Sequence, residues 1–122
     1  MNALTTPAVA TLYDALFLKG GFTIVTRPDG SAYVPTDGYA VSITASQHTL
    51  SAAAPFKEFV ELVRSVTGRY EDANGLGGWL SEGLIYIDPV EVVHDQETAT
   101  LVGKQRQQLA IFDLAAGTEI AL

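Results

Sequence analysis

The stretch from Trp79 to Asp88, which reads Trp-Leu-Ser-Glu-Gly-Leu-Ile-Tyr-Ile-Asp, determines the class of fold that the sequence predicts. Leu84 to Ile87 is a short apolar run typical of a strand, and Asp88-Pro89 marks its end. Ser81-Glu82-Gly83 has the composition of a tight turn, so the segments on its two sides are predicted to pair as an antiparallel hairpin. We therefore expect a sheet built from local hairpins.

The residues before this hairpin predict two helices and three strands. Apolar residues at helical spacing indicate one helix from about Pro7 to Lys19 and a second that starts at Pro55. Between them, β-branched and aromatic runs separated by turn residues predict a three-stranded meander over Phe22–Thr26, Ala32–Val34 and Tyr39–Thr44. The small and polar residues from Ser46 to Ala53 are expected to be a plain connection.

The glycine-rich segment from Gly68 to Gly78 is predicted to be a loop that either connects two elements or binds a ligand. After the hairpin, Asp95 is expected to cap a third helix that runs to about Gln107. A final hairpin is predicted from Leu109–Leu114 and Thr118–Ala121. The order α-β-β-β-α-β-β-α-β-β has no regular alternation of strand and helix, which favours an α+β fold over a doubly wound α/β fold.

Length and composition indicate one domain. A chain of 122 residues with 48% hydrophobic residues can close a single core. The absence of cysteine excludes disulfides, thiolate nucleophiles and cysteine-ligated metal centres, which is typical of a protein of the reducing cytoplasm. No secretory leader and no run of about eighteen apolar residues occurs, so we expect neither export nor membrane spanning.

The charge is acidic and unevenly distributed. Fourteen acidic residues against seven basic ones give a net charge of −7, which argues against direct binding to nucleic acid or to an anionic membrane, because both require clustered Lys and Arg. No basic residue occurs between Arg69 and Lys104, whereas that interval contains Glu71, Asp72, Glu82, Asp88, Glu91, Asp95 and Glu97. Two interpretations stay open: a solvated surface, or an acidic patch that docks a basic partner.

No motif selects an enzyme or a metal site. The two histidines, His48 and His94, are far apart, and the acids around His94 lack the alternate spacing of a calcium loop. Gly75–Gly78 lacks the Lys-Ser/Thr of a phosphate-binding loop. Spacing also selects no catalytic pair among the strand-end acids, which are Asp88, Glu91 and Asp113. We therefore predict no catalytic residue, no metal ligand and no cofactor.

Trp79 is the aromatic residue that we expect to be partly exposed, because the glycines before it leave its surroundings open. An exposed tryptophan with a charged rim is typical of a protein interface, and packing in the core is the alternative. The residues predicted to bind a partner are Trp79 as an apolar anchor and the acids Glu71, Asp72, Glu82, Glu91 and Glu97.

Runs in both halves of the chain resemble small proteins of unassigned function from actinobacteria and their bacteriophages. In the N-terminal half these runs are Gly20-Gly21-Phe22-Thr23 and Thr36-Asp37-Gly38-Tyr39-Ala40-Val41-Ser42. In the C-terminal half they are Gly77-Gly78-Trp79-Leu80, Gly83-Leu84-Ile85-Tyr86-Ile87-Asp88, Asp95 with Ala99, Gln108-Leu109-Ala110-Ile111-Phe112-Asp113-Leu114, and Gly117. The resemblance implies no activity or catalytic residue, but it implies a phage or prophage context.

The leading hypothesis is a non-enzymatic acidic binding protein of the host cytoplasm, an inhibitor of the anti-CRISPR or other anti-defence kind. It would dock a protein partner whose basic surface binds nucleic acid, without contacting nucleic acid or membrane itself. One alternative is a small-molecule or nucleotide-binding protein or enzyme that uses Gly75–Gly78 and the acids Asp88 and Asp113. Another is a structural phage protein that forms homo-oligomers.

Overall fold

The computed structural model describes residues 1–122 and shows three helices and one eight-stranded antiparallel sheet. The helices are α1 (Thr6–Lys19), α2 (Phe56–Arg69) and α3 (Gln96–Gln105). The strands are β1 (Gly21–Thr26), β2 (Ala32–Tyr33), β3 (Tyr39–Ser42), β4 (His48–Ser51), β5 (Gly75–Ser81), β6 (Leu84–Val93), β7 (Ala110–Asp113) and β8 (Thr118–Ala121). The predicted α+β class and the predicted order of elements are confirmed, with β4 as one additional short strand.

The helices begin where the sequence provides caps. The Thr5 hydroxyl accepts a hydrogen bond from the Ala8 amide at 3.3 Å, and the Asp95 carboxylate accepts one from the Thr98 amide at 2.9 Å. α1 ends at Gly20, whose φ of +84° is the left-handed conformation that glycine adopts without strain. α2 follows directly after Pro55. These helix boundaries confirm the predicted ones to within about two residues.

The β5–β6 hairpin lies at the centre of the sheet, whose order is β2-β1-β5-β6-β3-β7-β8. β6 pairs with β5 along one edge from Leu84 to Val90. Its other edge has two partners: β4 pairs with Leu84–Ile87, and β3 pairs with Val90–Val93. The predicted hairpin is thus confirmed, and it holds the remaining strands together.

Four local predictions were wrong. β3 pairs with β6 and β7 instead of β2, so no three-stranded meander forms. β6 continues past Asp88-Pro89, because Pro89 stands where the partner of β6 changes from β4 to β3 and the ladder on that edge is interrupted. Gly75–Gly78 belongs to β5, and a Cβ at Gly78 would lie 2.3 Å from the Phe22 ring, so a larger residue there would displace that ring. The connection predicted over Ser46–Ala53 contains β4.

All three helices pack on one side of the sheet. α1 and α2 share a core with inward side chains of β1, β5 and β6, including Ile24, Leu76 and Ile85. α3 packs against Val41 and Ile111 of β3 and β7, which lie on that same side by register. We call this side the helical face.

The opposite side of the sheet is covered only in part. The connection over residues 34–38 runs from β2 to β3, and its Pro35 and Gly38 are buried. Gly38 lies against Val92, which belongs to a small cluster with Val25 and Val90. The area nearer the β5–β6 turn lies on the side of the sheet opposite all three helices and includes the partly exposed Trp79. We call this area the open face, and its residues are Thr23, Thr49, Gly77, Trp79, Tyr86 and Asp88.

Candidate functional site

Two aromatic side chains form a platform on the open face. Trp79 of β5 is paired directly with Tyr86 of β6, and their rings stack with centroids 5.1 Å apart and an interplanar angle of 3°. On the other side of Trp79, β1 places Gly21, which has no side chain to cover the indole. Trp79 is 43% exposed, which confirms the predicted partial exposure. A flat, accessible aromatic pair is available to a binding partner.

Asp88 stands two residues beyond Tyr86 and therefore on the same side of β6. Its Oδ1 lies 2.7 Å from the Ser42 hydroxyl oxygen, and no basic side chain forms an ion pair with it. Burial of the carboxyl raises the pKa of Asp88 from 3.8 to about 6, although the Ser42 hydrogen bond acts in the opposite direction. A substantial share of Asp88 is thus protonated at mildly acidic pH.

The Ser42 hydroxyl explains how the protonated form is accommodated. Its oxygen lies 2.7 Å from Asp88 Oδ1 and 2.8 Å from the Thr44 carbonyl oxygen, but one hydroxyl has a single proton to donate. When Asp88 is protonated it can donate to Ser42, which then donates to Thr44, and both contacts are satisfied. When Asp88 is ionised, Ser42 can satisfy only one of the two acceptors.

A recess lies beside the platform, at Gly77. Across the two neighbouring strands Gly77 is paired with Thr23 of β1 and with Asp88 of β6. The nearest atoms to a Cβ built on Gly77 are 3.8 Å away, the Asp88 carbonyl oxygen and Val90 Cγ1, so the glycine leaves room for at least a methyl group between Thr23 and Asp88. We call this space the Gly77 recess. Trp79 and Asp88 stand at its margin.

Comparisons with protein-family models, curated proteins and solved structures returned no match. None of the three helices combines the length and the apolar character that crossing a bilayer requires.

The charges of the two faces differ. By register, the strand residues on the side of the open face include no Lys, Arg or His, and their acids are Asp88 and Glu119. Of the seven bases, Arg27 lies in the β1–β2 turn with its guanidinium carbon 4.1 Å from the Tyr33 ring centroid. The other six belong to the helices or their caps, namely Lys19, Lys57, Arg64, Arg69, Lys104 and Arg106. The open face therefore has no base of its own.

The predicted partner-binding acids lie in four separate places. Glu82 is in the β5–β6 turn, at the same end of the hairpin as Trp79. Glu71 and Asp72 lie in the connection between α2 and β5, and Glu97 is in the first turn of α3. Glu91 is on the helical face. Glu82 stands three residues after Trp79 at the same end of the hairpin, and the other four acids belong to other parts of the fold.

A second polar site lies on the helical face and was not predicted from the sequence. A cleft of about 430 Å³ is lined by Ile43, Arg69, Tyr70, Glu71, Asp72 and Arg106. Arg106 Nη2 bonds Glu91 Oε1 at 2.8 Å, whereas its Nη1 is buried without a partner. Nearby, His48 Nε2 lies 2.9 Å from the Tyr70 hydroxyl. The interval from Arg69 to Lys104 is thus free of bases in sequence, but Arg106 reaches into it in space.

Asp88 does not pair with the other strand-end acids, because Glu91 and Asp113 lie on the opposite side of the sheet. Asp88 lies on the open face, whereas the register of β7 places Asp113 on the helical face, where it accepts hydrogen bonds from the Ala115 and Ala116 amides at 3.1 Å. His94 Nδ1 is 3.7 Å from an Asp37 carboxylate oxygen, and both side chains are exposed. No three His, Asp or Glu side chains converge as a metal ion requires.

Proposed function

We propose that this protein is a non-enzymatic acidic binding domain that docks a basic protein partner through its open face. The observation that carries the proposal is the stacked and accessible pair of Trp79 and Tyr86 on a sheet face without a base. The phage context that the resemblance implies extends this proposal to an inhibitor of a host defence complex, whose nucleic-acid cleft is basic.

The apolar part of the site has the composition of an interface centre. Tryptophan and tyrosine are enriched among the residues that contribute most to binding free energy, because they bury a large rigid surface. Leu84 stands beside the pair on the same side of β6 and is 39% exposed, which enlarges the apolar area. Ser81 at the end of β5 and Glu82 in the adjoining turn supply a polar rim.

Charge defines the chemistry of the partner. The net charge is −7, and no strand residue on the side of the open face is basic. Six of the seven bases belong to the helices or their caps, including Lys19, which stands two residues before the Gly21 that pairs with Trp79, and Arg27 lies in the β1–β2 turn. A positively charged surface would meet the open face without like-charge repulsion, whereas an acidic partner would find no counter-ion there. Electrostatic attraction between the two proteins, which extends over a Debye length of about 8 Å at physiological salt, would raise the association rate constant.

The test compares Trp79→Ala and Glu82→Lys with the wild type and with two matched controls on the helical side. The controls are Phe17→Ala, an aromatic side chain of similar exposure on α1, and Glu61→Lys, an exposed acid on α2. Each immobilised protein is incubated with actinobacterial lysate, captured proteins are identified by mass spectrometry, and each one is purified and its Kd measured by biolayer interferometry. We expect Trp79→Ala to weaken binding about thirty-fold, or about 2 kcal/mol.

Glu82→Lys is expected to weaken binding about five-fold at low salt, with the difference shrinking as salt rises. The two controls should bind as the wild type does, and the captured partner should carry net positive charge. Equal affinity of all five proteins would contradict the proposal. So would a captured partner whose Kd is the same at 50 mM and at 500 mM salt, because the Debye length differs by a factor of about three between these two concentrations.

A further inference from the structure

We infer that the Gly77 recess receives the terminal cation of one lysine or arginine of the partner, with Asp88 as its counter-ion and Trp79 beside its alkyl stem. This inference rests on the proposed function and names the partner group that the open face recognises. The site requires only residues on adjacent strands, so it is formed whenever the sheet is formed.

Gly77 forms the bottom of the recess, and Asp88 lies on one side of it. Gly77 is the floor, because both neighbouring strands keep their side chains at least 3.8 Å from the place where its Cβ would be. Asp88 is its direct cross-strand partner, and directly paired residues have Cβ positions within about 5.5 Å. Trp79, two residues along β5, projects on the same side as Asp88. A long side chain that enters the recess thus meets indole first and carboxylate at its tip.

Asp88 still has an unused acceptor. Oδ1 contacts the Ser42 hydroxyl, whereas Oδ2 makes no hydrogen bond within the chain and is not among the buried unpartnered atoms, so it reaches solvent. A lysine ammonium or an arginine guanidinium could donate to Oδ2 without displacing Ser42. Charge-assisted hydrogen bonds of this kind are stronger than neutral ones, and the aromatic face adds a cation–π contact.

No group of the protein competes with the incoming cation. The residues around Asp88 are Thr23 of β1, Gly77 and Trp79 of β5, Tyr86 of its own strand, and Ser42 at the end of β3, whose hydroxyl also contacts the Thr44 carbonyl. Of these only Tyr86 is titratable, and none is basic. Burial without a counter-ion is also what raises the pKa of Asp88 to about 6. Because a bound cation favours the carboxylate, affinity should rise with pH through that value.

The test uses three small probes in an NMR titration of the whole protein at pH 7: N-acetyl-lysine methylamide, N-acetyl-arginine methylamide and N-acetyl-norleucine methylamide, which has an alkyl stem but no charge. We expect the two cations to shift the Gly77 amide and the Trp79 indole N–H saturably, with at least ten-fold higher affinity than norleucine. Affinity should fall several-fold between pH 7 and pH 5.

Two variants make the test specific to the recess. Asp88→Asn removes the charge, and Gly77→Ala fills the floor at a site where the added Cβ makes only ordinary contacts. Both are expected to lower the affinity for the cations at least ten-fold, whereas Asp14→Asn, an exposed acid on α1, should not. Equal affinity for norleucine, unchanged affinity in Asp88→Asn, or no saturable shift with either cation would overturn the inference.

The same variants separate this inference from the proposed function. One result is that Asp88→Asn and Gly77→Ala bind the captured partner as the wild type does while Trp79→Ala binds it more weakly. That result would overturn the inference about the Gly77 recess and support docking through the open face. If Trp79→Ala also binds normally, the docking face fails and the inference fails with it.

Discussion

Phe59→Ala is expected to lower the free energy of unfolding by about 3–5 kcal/mol, which is a large part of the stability of a domain of this size. The Phe59 side chain is fully buried in the core that α1 and α2 share with the central strands. Its ring lies 5.0 Å from that of Tyr13 and 6.3 Å from that of Phe56. Removing it would leave a cavity that neighbours on two helices and the sheet cannot fill together.

Urea unfolding, followed by circular dichroism at pH 7, measures this loss. Phe17→Ala is the matched control, because Phe17 contacts the same Tyr13 ring at 5.0 Å but is 47% exposed. We expect the control to lower the stability by about 1 kcal/mol, the contribution of one aromatic pair. A loss below about 1.5 kcal/mol for Phe59→Ala would mean that the two helices are packed less closely than described.

Asp88→Asn is expected to stabilise the protein at neutral pH, by up to about 3 kcal/mol. The pKa of Asp88 is raised from 3.8 to about 6 in the folded state, and this difference multiplied by 1.36 kcal/mol gives that limit. The unfolded chain releases the proton first as pH rises, so the wild type loses stability between about pH 4 and about pH 6. Asparagine has no proton to release and still accepts a hydrogen bond from Ser42.

Urea unfolding of both proteins at several pH values from 4 to 8 tests this expectation. The difference should be small near pH 4, where Asp88 is protonated in the folded state and about half ionised in the unfolded chain, and it should be nearly complete above about pH 6. Asp14→Asn controls for the change in net charge. A stability difference between wild type and Asp88→Asn that stays constant from pH 4 to pH 8 would show that the carboxyl is not desolvated.

The central hairpin could be predicted because its signals are local. Ser81-Glu82-Gly83 specifies a turn, and the residues on both sides pair with each other across it. The pairing of β1 with β5 and of β3 with β6 joins residues about fifty positions apart, and no local signal encodes it. β4 was missed because His48–Ser51 is polar in composition and becomes a strand only by pairing with β6.

The same distinction holds for the site. The partial exposure of Trp79 could be predicted from the glycines that precede it in sequence. The residue that leaves the indole uncovered on the β1 side, however, is Gly21, which only the pairing of β1 with β5 places there. The contact between Asp88 and Ser42 joins residues 46 positions apart, and the Arg106 contact with Glu91 joins residues 15 apart across two elements. Both depend on tertiary packing. In sequence, Asp88 before Pro89 has the pattern of a turn, and nothing there distinguishes it from the other acids.

One edge of β6 pairs with both β4 and β3, and this arrangement has a consequence for the order in which the strands form. The β5–β6 hairpin needs only a short loop to close, whereas β1 and β3 must close loops of about fifty residues before they can add to it. We expect substitutions within the hairpin to slow refolding, and substitutions in β2 or β8 mainly to speed unfolding, as stopped-flow tryptophan fluorescence can measure. The strands that carry Trp79 and Tyr86 would then form the nucleus of the sheet, and the binding platform would be assembled before the sheet is complete.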